Sequence, residues 1–319
     1  MEKIAVLTSG GDAPGMNAAI RAVVRAGNYY GYEMYGVKQG YKGLLDDNIT
    51  QLNEFDVSNK IQHGGTFLRS ARCLEMKTDE GLNTAVKTLK KHGIGGLVVI
   101  GGDGSYRGAQ KLSREGINVI GIPGTIDNDI SCTDRTIGFD TAVNTAVDCI
   151  NKIRDTSSSH TRVNVVEVMG RNSGYIALYA GIAAGAEAIL IPEVEYDLDK
   201  VSRRIKKGFR LGKYYGLVVL AEGVGHYRDF CKLIEEKSGV ETRGTNLGYI
   251  QRGGAPTAFD RMLGSKMGAL AVECLRDGKT NRCMCYQGGQ IVDMDIEEAL
   301  AMPYTFDEEA KRISEMIAI

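Results

Sequence analysis

Two aspartates stand two residues apart in Pro123-Gly124-Thr125-Ile126-Asp127-Asn128-Asp129, directly after an apolar run that ends at Ile122. Carboxylates beside a phosphate would repel it unless they hold Mg²⁺ or take a proton from an attacking hydroxyl. Those are the two needs of phosphoryl transfer. A plain Asp-rich turn would carry the same letters, so this segment gains meaning only in company. Two glycine-rich segments supply it: Ser9-Gly10-Gly11-Asp12 and Ile100-Gly101-Gly102-Asp103-Gly104-Ser105. Each follows a short apolar run and precedes a helix-length segment. Glycines there let backbone N–H groups approach a phosphate, and a helix N-terminus adds partial positive charge. Arg72, Arg162, Arg171, Arg243 and Arg252 offer planar forks that grip phosphate oxygens two at a time. Singly, each is equally explained as a solvated surface residue.

Other fingerprints fail. Gly278-Lys279-Thr280 resembles the end of a Walker loop, but Glu273 stands where the first glycine is required, so a surface turn is expected. Gly102-x-Gly104-x-x-x-Gly108 is one residue too long for a dinucleotide fingerprint, and no GxSxG occurs. Seven cysteines with four histidines and no CxxC or HExxH argue for reduced thiols used as core filling rather than a zinc site.

The elements that must position these residues read as strands at Ile4–Leu7, Leu97–Ile100, Val119–Ile122, Val163–Val168, Ala188–Ile191 and Leu217–Leu220. Helices are expected near Met16–Tyr30, Asp79–Lys91, Tyr106–Arg114, Thr141–Arg154, Leu198–Leu211 and Thr257–Leu275. The alternation is that of parallel sheets covered by helices, which place ligands at the carboxyl ends of strands. Asn172 to Ala186 reads as a buried helix running into a strand, too short for a membrane span. With 319 residues two domains are expected. No linker shows in the composition, Ser157-Ser158-Ser159 being the nearest hinge signal. Lys and Arg number 39 against 40 Asp and Glu, so no whole-molecule field exists to hold nucleic acid or an anionic membrane. The apolar run at the N-terminus is too short for a signal peptide, and a cytoplasmic setting is expected.

As a set, these motifs resemble the bacterial ATP-dependent 6-phosphofructokinase family over nearly the whole chain. They are LTSGGDAPGMNAAIR (7–21), GGTFLRSAR (64–72), VVIGGDGS (98–105), PGTIDND (123–129), DTSSSHTRVNVVEVMGR (155–171) and LGYIQRGG (247–254). GGDG alone also occurs in NAD and lipid kinases. The resemblance implies an α/β protein of two doubly wound three-layer domains with largely parallel sheets. The larger, ATP-binding domain would comprise 1–138 plus 251–301, and the smaller, sugar-phosphate domain 139–250 plus 302–319.

It further implies a phosphotransferase acting on an alcohol group, with Asp127 as base for the 1-hydroxyl of fructose 6-phosphate and Thr125 and Arg171 stabilising the migrating phosphoryl. Asp103 would hold Mg²⁺, with Asp129 orienting the metal's water shell. ATP would meet Gly11, Tyr41, Arg72, Cys73, Gly102 to Ser105 and Gly108, with Gly104 among them and Lys77 a weaker addition. The sugar phosphate would meet Thr125, Asp127, Met169, Gly170, Arg171, Glu222, Tyr249 and Arg252, with Arg162 and Arg243 from a neighbouring subunit, hence a homotetramer. An effector site for ADP or phosphoenolpyruvate would use Arg21, Arg25, Arg154, Gly185, Glu187 and Lys213.

Pyrophosphate-using relatives carry Asp and Lys where this sequence has Gly104 and Gly124, which favours ATP. The acceptor could still be tagatose 6-phosphate or sedoheptulose 7-phosphate, and a catalytically silent nucleotide sensor is the alternative of another class. Departures occur at Tyr249, where His is common, and at Glu54, Leu211 and Tyr215, where a familiar member has Arg, Lys and His. Fewer cations should weaken a polyanionic effector's hold.

Overall fold

A computed structural model describes residues 2–318. Its strands are β1 (Lys3–Thr8), β2 (Glu33–Val37), β3 (Ile49–Leu52), β4 (Gly96–Gly101), β5 (Asn118–Thr125), β6 (Ile137–Gly138), β7 (Arg162–Val168), β8 (Ala188–Leu190), β9 (Tyr215–Ala221), β10 (Thr242–Asn246), β11 (Arg282–Gln287) and β12 (Gln290–Asp295). The helices are α1 (Met16–Tyr29), α2 (Tyr41–Leu45), α3 (Asp79–Lys91), α4 (Asp103–Arg114), α5 (Phe139–Ser158), α6 (Tyr175–Ala183), α7 (Leu198–Arg210), α8 (Tyr227–Ser238), α9 (Ala258–Arg276), α10 (Ile296–Ala301) and α11 (Glu308–Ile317).

The chain folds as two units. Unit 1 runs to Asp140 and resumes over Arg252–Tyr304; unit 2 takes Thr141–Gln251 and the described residues from Thr305 on. Unit 1 is built on a sheet ordered β12-β11-β5-β4-β1-β2-β3, with β6 beside β5, parallel except for β3 and β12. Unit 2 has the parallel sheet β10-β7-β9-β8. The central strands β1, β4, β5, β7 and β9 read as near-continuous apolar runs because helices cover both faces, leaving no polar side to alternate with. All six expected strands and all six expected helices form.

The differences are physical. α4 starts at Asp103, three residues before its expected first residue, because the glycine-rich loop is itself the helix entrance, with Gly102 at the cap position. α5 runs on through Ser158, so the serine run is no hinge: Ser157 is buried and its hydroxyl donates to the Ile153 carbonyl, 2.6 Å away. The passage between units lies instead in the first turn of α5. The strands β2, β3, β6, β10, β11 and β12 have no counterpart among the expected strands because they are short or only partly buried and lack a continuous apolar run. Gly278-Lys279-Thr280 is a turn after α9, Gly278 having φ +76° and Lys279 pairing with Asp293 at 2.7 Å. Cys132, Cys274, Cys283 and Cys285 are buried, whereas Cys73, Cys149 and Cys231 are half-buried. Among the described residues no helix is long and apolar enough to cross a membrane.

Each unit has its own packing device. In unit 1, α9 crosses α1 through Gly264 and Gly268, whose missing side chains admit the α1 backbone: a Cβ on Gly268 would stand 2.6 Å from the Ala19 carbonyl oxygen. In unit 2, α11 is tied down by Glu315, which accepts from Lys200 (3.0 Å), Arg204 (3.1 Å) and Lys311 (3.2 Å). Burial opposes its charge, but the three cations outweigh that and hold the carboxyl down to about 2. A folded-state value below the unfolded one means this stabilisation is present above about pH 4.5 and is lost as pH falls toward 2. Protection of α11 amides in hydrogen exchange is expected to fall across that window, and Glu315→Gln to remove the pH dependence.

Candidate active site

β5, β4 and β1 are neighbours in one parallel sheet, with Thr8 in register with Ile100 and Gly101 with Pro123. The three segments singled out for phosphate chemistry therefore leave the carboxyl ends of three adjacent strands, about 5 Å apart from one to the next. The chain turns from β1 to β2 on one side and to β4 on the other, the switch point where open α/β sheets bind ligands.

The first loop is held from above by the 63–70 segment. Asn17 donates to the His63 carbonyl and accepts from Phe67 N–H at 2.9 Å, the Thr8 hydroxyl donates to the Arg69 carbonyl at 2.9 Å, and the Ser70 hydroxyl donates to the Gly10 carbonyl at 2.6 Å. That leaves Arg72 exposed at the segment's end. Arg252 Nη2 pairs with Asp12 at 2.6 Å and passes over Gly11, where a Cβ would lie 2.6 Å from the guanidinium. Arg252 thus sits on the first glycine loop of unit 1.

In the second loop, added Cβ atoms on Gly102 and Gly104 would meet nothing within 4 Å, so this stretch of backbone is bare. Asp103 is exposed beside it. Loss of surrounding water and the Asp129 carboxylate hold its carboxyl above the ordinary value, the electrostatic condition a divalent cation would relieve. Tyr41 is buried, and its hydroxyl donates to the Ser105 carbonyl at 2.6 Å. Its ring lies over Gly108, where a Cβ would stand 2.8 Å away. Tyr41 thereby packs on Gly108 and supports the first turns of α4. Cys73 is half-buried and its thiol is pushed up by burial; Lys77 is exposed.

The acidic loop is the most constrained. Asp127 is buried and its N–H donates to the Thr125 hydroxyl at 3.2 Å. Asn128 takes a left-handed φ of +51°, which Asn tolerates better than most residues. Its amide donates to the Asp134 carbonyl (3.2 Å) and accepts from Thr136 N–H (2.9 Å). Thr136 in turn donates to the Thr125 carbonyl at 2.6 Å. The space beside Gly104 is open, but Gly124 differs: its Cβ would meet the Ile100 and Met16 methyls at 2.9 and 3.0 Å, so a larger residue there requires those side chains to shift.

In unit 2 the turn Met169-Gly170-Arg171 follows β7, and its backbone is fixed by two side chains. Glu222 Oε1 accepts from Gly170 N–H (3.1 Å) and Arg171 N–H (2.7 Å), while Gln251 Oε1 accepts from Met169 N–H (3.1 Å). Gly170 at φ +138° and Arg171 at φ +53° show how tightly the turn is bent. Gln251 is fully buried and was missed by sequence reasoning, although it stands inside the LGYIQRGG motif. Gln251→Leu is expected to leave the Met169 N–H without its acceptor, costing about 1–3 kcal/mol, read as a lower Tm. Tyr249 is exposed.

Arg162 and Arg243 stand elsewhere. Arg162 opens β7, and Arg243, one residue into β10, pairs with Glu241 at 2.8 Å. Met169 follows the other end of β7, seven residues from Arg162 and so about 20 Å away along the strand. The Arg162 Nε is buried with no hydrogen-bond partner among the described residues.

Of the effector positions, unit 1 carries Arg21 and Arg25 on one face of α1, where burial and the neighbouring Arg25 pull the Arg21 guanidinium below its ordinary value. Glu54 accepts from Asn28 at 3.3 Å. Unit 2 gathers Arg154, Glu187 and Lys213: Arg154 donates to the Ala184 carbonyl beside Gly185, and Lys213 pairs with Glu187. The Tyr215 ring centroid is 5.7 Å from the Arg154 guanidinium and 5.5 Å from the Lys213 ammonium. Leu211 is exposed.

Known proteins similar to this chain agree with one another. The family model for phosphofructokinase matches residues 3–275. An ATP-dependent 6-phosphofructokinase of Clostridium botulinum is 57% identical over the full length of both chains, and that of Alkaliphilus metalliredigens 56%. Among solved structures, phosphofructokinase from Saccharomyces cerevisiae superposes with a TM-score of 0.87 at 34% identity, covering 99% of this chain and 47% of that one. A pyrophosphate-dependent phosphofructokinase from Marinobacter aquaeolei shares the fold, at a TM-score of 0.85 and 22% identity, covering 100% of this chain and 92% of that one.

Proposed function

This chain belongs to the phosphofructokinase family, and on that premise we propose that it transfers the γ-phosphate of ATP to the 1-hydroxyl of fructose 6-phosphate, giving fructose 1,6-bisphosphate and ADP as a step of glycolysis. The observation that carries the reading is the arrival of both glycine loops and the acidic loop at the carboxyl ends of three adjacent strands.

Unit 1 supplies the donor side and the base. The bare backbone from Gly102 to Ser105 and the loop at Gly11 receive the nucleotide's phosphates, with Arg72 adding charge. Asp127 takes the proton of the attacking hydroxyl, and the Thr125 hydroxyl and Arg171 guanidinium stabilise charge on the migrating phosphoryl. Asp103 and Asp129 fit Mg²⁺, since a close pair of like-charged carboxylates in which one resists ionisation is relieved by a divalent cation. When bound, the ion screens the phosphate charges of ATP. The acceptor is gripped by the Met169–Arg171 turn that Glu222 and Gln251 hold. ATP is favoured over pyrophosphate by the ATP-dependent naming of the full-length relatives and by the open space at Gly104.

A site shared between subunits is proposed for Arg162. On one chain it stands at the opposite end of β7 from Met169, so if both serve one sugar phosphate they come from different subunits of a homo-oligomer, here a homotetramer. The proposed setting is cytoplasmic. Effector control by ADP or phosphoenolpyruvate is proposed to be reduced or altered relative to the family's familiar members, because Glu54, Leu211 and Tyr215 supply no cation at those positions and the Tyr215 ring beside Arg154 and Lys213 carries no charge.

Two assays test these points. Purified protein with Mg²⁺ and fructose 6-phosphate should form fructose 1,6-bisphosphate with ATP and not with pyrophosphate; turnover with pyrophosphate alone would refute the donor assignment. Adding ADP or phosphoenolpyruvate at subsaturating fructose 6-phosphate should shift its half-saturation less than about fivefold, a coupling of about 1 kcal/mol. A larger shift would show that the altered positions still bind an effector.

A further inference from the structure

Three thiols far apart in sequence meet in the core of unit 1. Cys283 and Cys285 are alternate residues of β11 and so share a face, and Cys132 comes from the segment just beyond the acidic loop. The Cys132 and Cys283 sulfurs are 3.9 Å apart, as are those of Cys283 and Cys285, and all three lie within 4.8 Å of one another. Each residue is at most 1% exposed. An ion bonded to thiolates at about 2.3 Å in tetrahedral geometry separates its sulfurs by about 3.8 Å. Little rearrangement is therefore needed to close the cluster on a cation.

A second feature points the same way. Tyr106, one turn into α4, is fully buried, and its hydroxyl has no hydrogen-bond partner among the described residues. Native interiors rarely leave such a group unsatisfied, because it forfeits its hydration for nothing. It is close enough to Cys132, Cys283, Cys285 and Asp103 to feel the charge of each. A neutral thiol is a poor acceptor for a phenol, whereas a metal-bound thiolate is a good one. Donation to a ligating atom is what outer groups do around metal sites.

We propose that Cys132, Cys283 and Cys285 form a three-thiolate site for a thiophilic closed-shell cation, zinc or copper(I), with Tyr106 hydrogen-bonded to a ligating sulfur. Each metal–sulfur bond formed releases one thiol proton to solvent. The bound ion ties the tail of the acidic loop to β11, so occupancy stabilises the segment that carries Asp127 and Asp129 without touching the reacting atoms.

The test uses reduced, chelator-treated full-length protein with cobalt(II) as an optical probe, then zinc(II) or anaerobically supplied copper(I) as competitors. The expected result is a thiolate-to-cobalt charge-transfer band that saturates at one equivalent per chain and is displaced by zinc, by copper(I) or by both; the more effective competitor identifies the resident ion. Cys132→Ala and Cys283→Ala should lose the band and Cys231→Ala keep it. Tyr106→Phe, which removes only the unpaired hydroxyl, should fold and bind cobalt 10–100-fold more weakly. One equivalent of the better competitor should also raise Tm by several degrees in wild type and Cys231→Ala but not in Cys132→Ala, as a ligand specific to the folded state does. No band at one equivalent, or a band that survives in Cys132→Ala, overturns the proposal. If Cys283→Ala does not fold, Cys132→Ala and Tyr106→Phe decide: unchanged cobalt affinity in both overturns it.

Discussion

Asp127→Ser is expected to lower kcat by on the order of 10²–10⁴-fold, the range that removal of a positioned general base produces, while the affinity for ATP changes little. The reason lies in where the carboxylate is held. Asp127 is buried on a loop whose turn is closed by Asn128 and whose Thr125 is anchored through Thr136. None of those links needs the Asp127 side chain, so Ser removes a proton acceptor and leaves the backbone in place. The bare backbone at Gly102 and Gly104 leaves a different strand and should bind nucleotide as before. Pre-steady-state measurement of the phosphoryl-transfer step, with ATP binding followed separately, checks both halves. A variant that turns over within tenfold of wild type would remove Asp127 as the base.

Arg162 carries the other large effect. Arg162→Ser is expected to raise KM for fructose 6-phosphate on the order of 10–100-fold, the loss of a charge-assisted hydrogen bond to phosphate at about 1.5–3 kcal/mol, with a smaller change in kcat. The decisive form mixes it with the Asp127→Ser protein, dissociates the mixture and reassembles it. In a hybrid, a site whose base comes from the Arg162→Ser chain and whose arginine comes from the Asp127→Ser chain is native in every residue. Activity at low fructose 6-phosphate should therefore reappear from two defective parents. If each site were completed within one chain, no mixture would exceed its parents. The strand geometry favours recovery, since Arg162 and Met169 lie about 20 Å apart along β7.

Particular residues show how much of this is legible in the chain before it folds. The apolar runs of β1, β4, β5, β7 and β9 are visible because a strand covered on both faces needs no polar alternation. The glycine loops and TIDND are visible because their chemistry is local: a few residues suffice to bare a backbone or crowd two carboxylates. Gln251 is not, although its motif is conspicuous, because its role is to accept from an N–H 82 positions away in the chain. Tyr41 reads as a nucleotide contact in the sequence, but the sheet and α4 bury its ring. Gly124 reads in the sequence as a mark of ATP over pyrophosphate; that its Cβ would also crowd Ile100 and Met16 is visible only in the fold.

The apolar central strands, the main helices, the positions of the three glycine-rich and acidic loops and the family are legible in the order of residues alone, since period, glycine placement and charge act over near neighbours. Folding in three dimensions decided which strands lie side by side, which carboxylate feels which, that Arg162 lies far along β7 from the turn it is proposed to complement, and that three scattered thiols and a phenol share one point of the core. Those outcomes depend on the order of strands in a sheet, and strand order is set by the burial of whole faces, a property that no short stretch of sequence possesses.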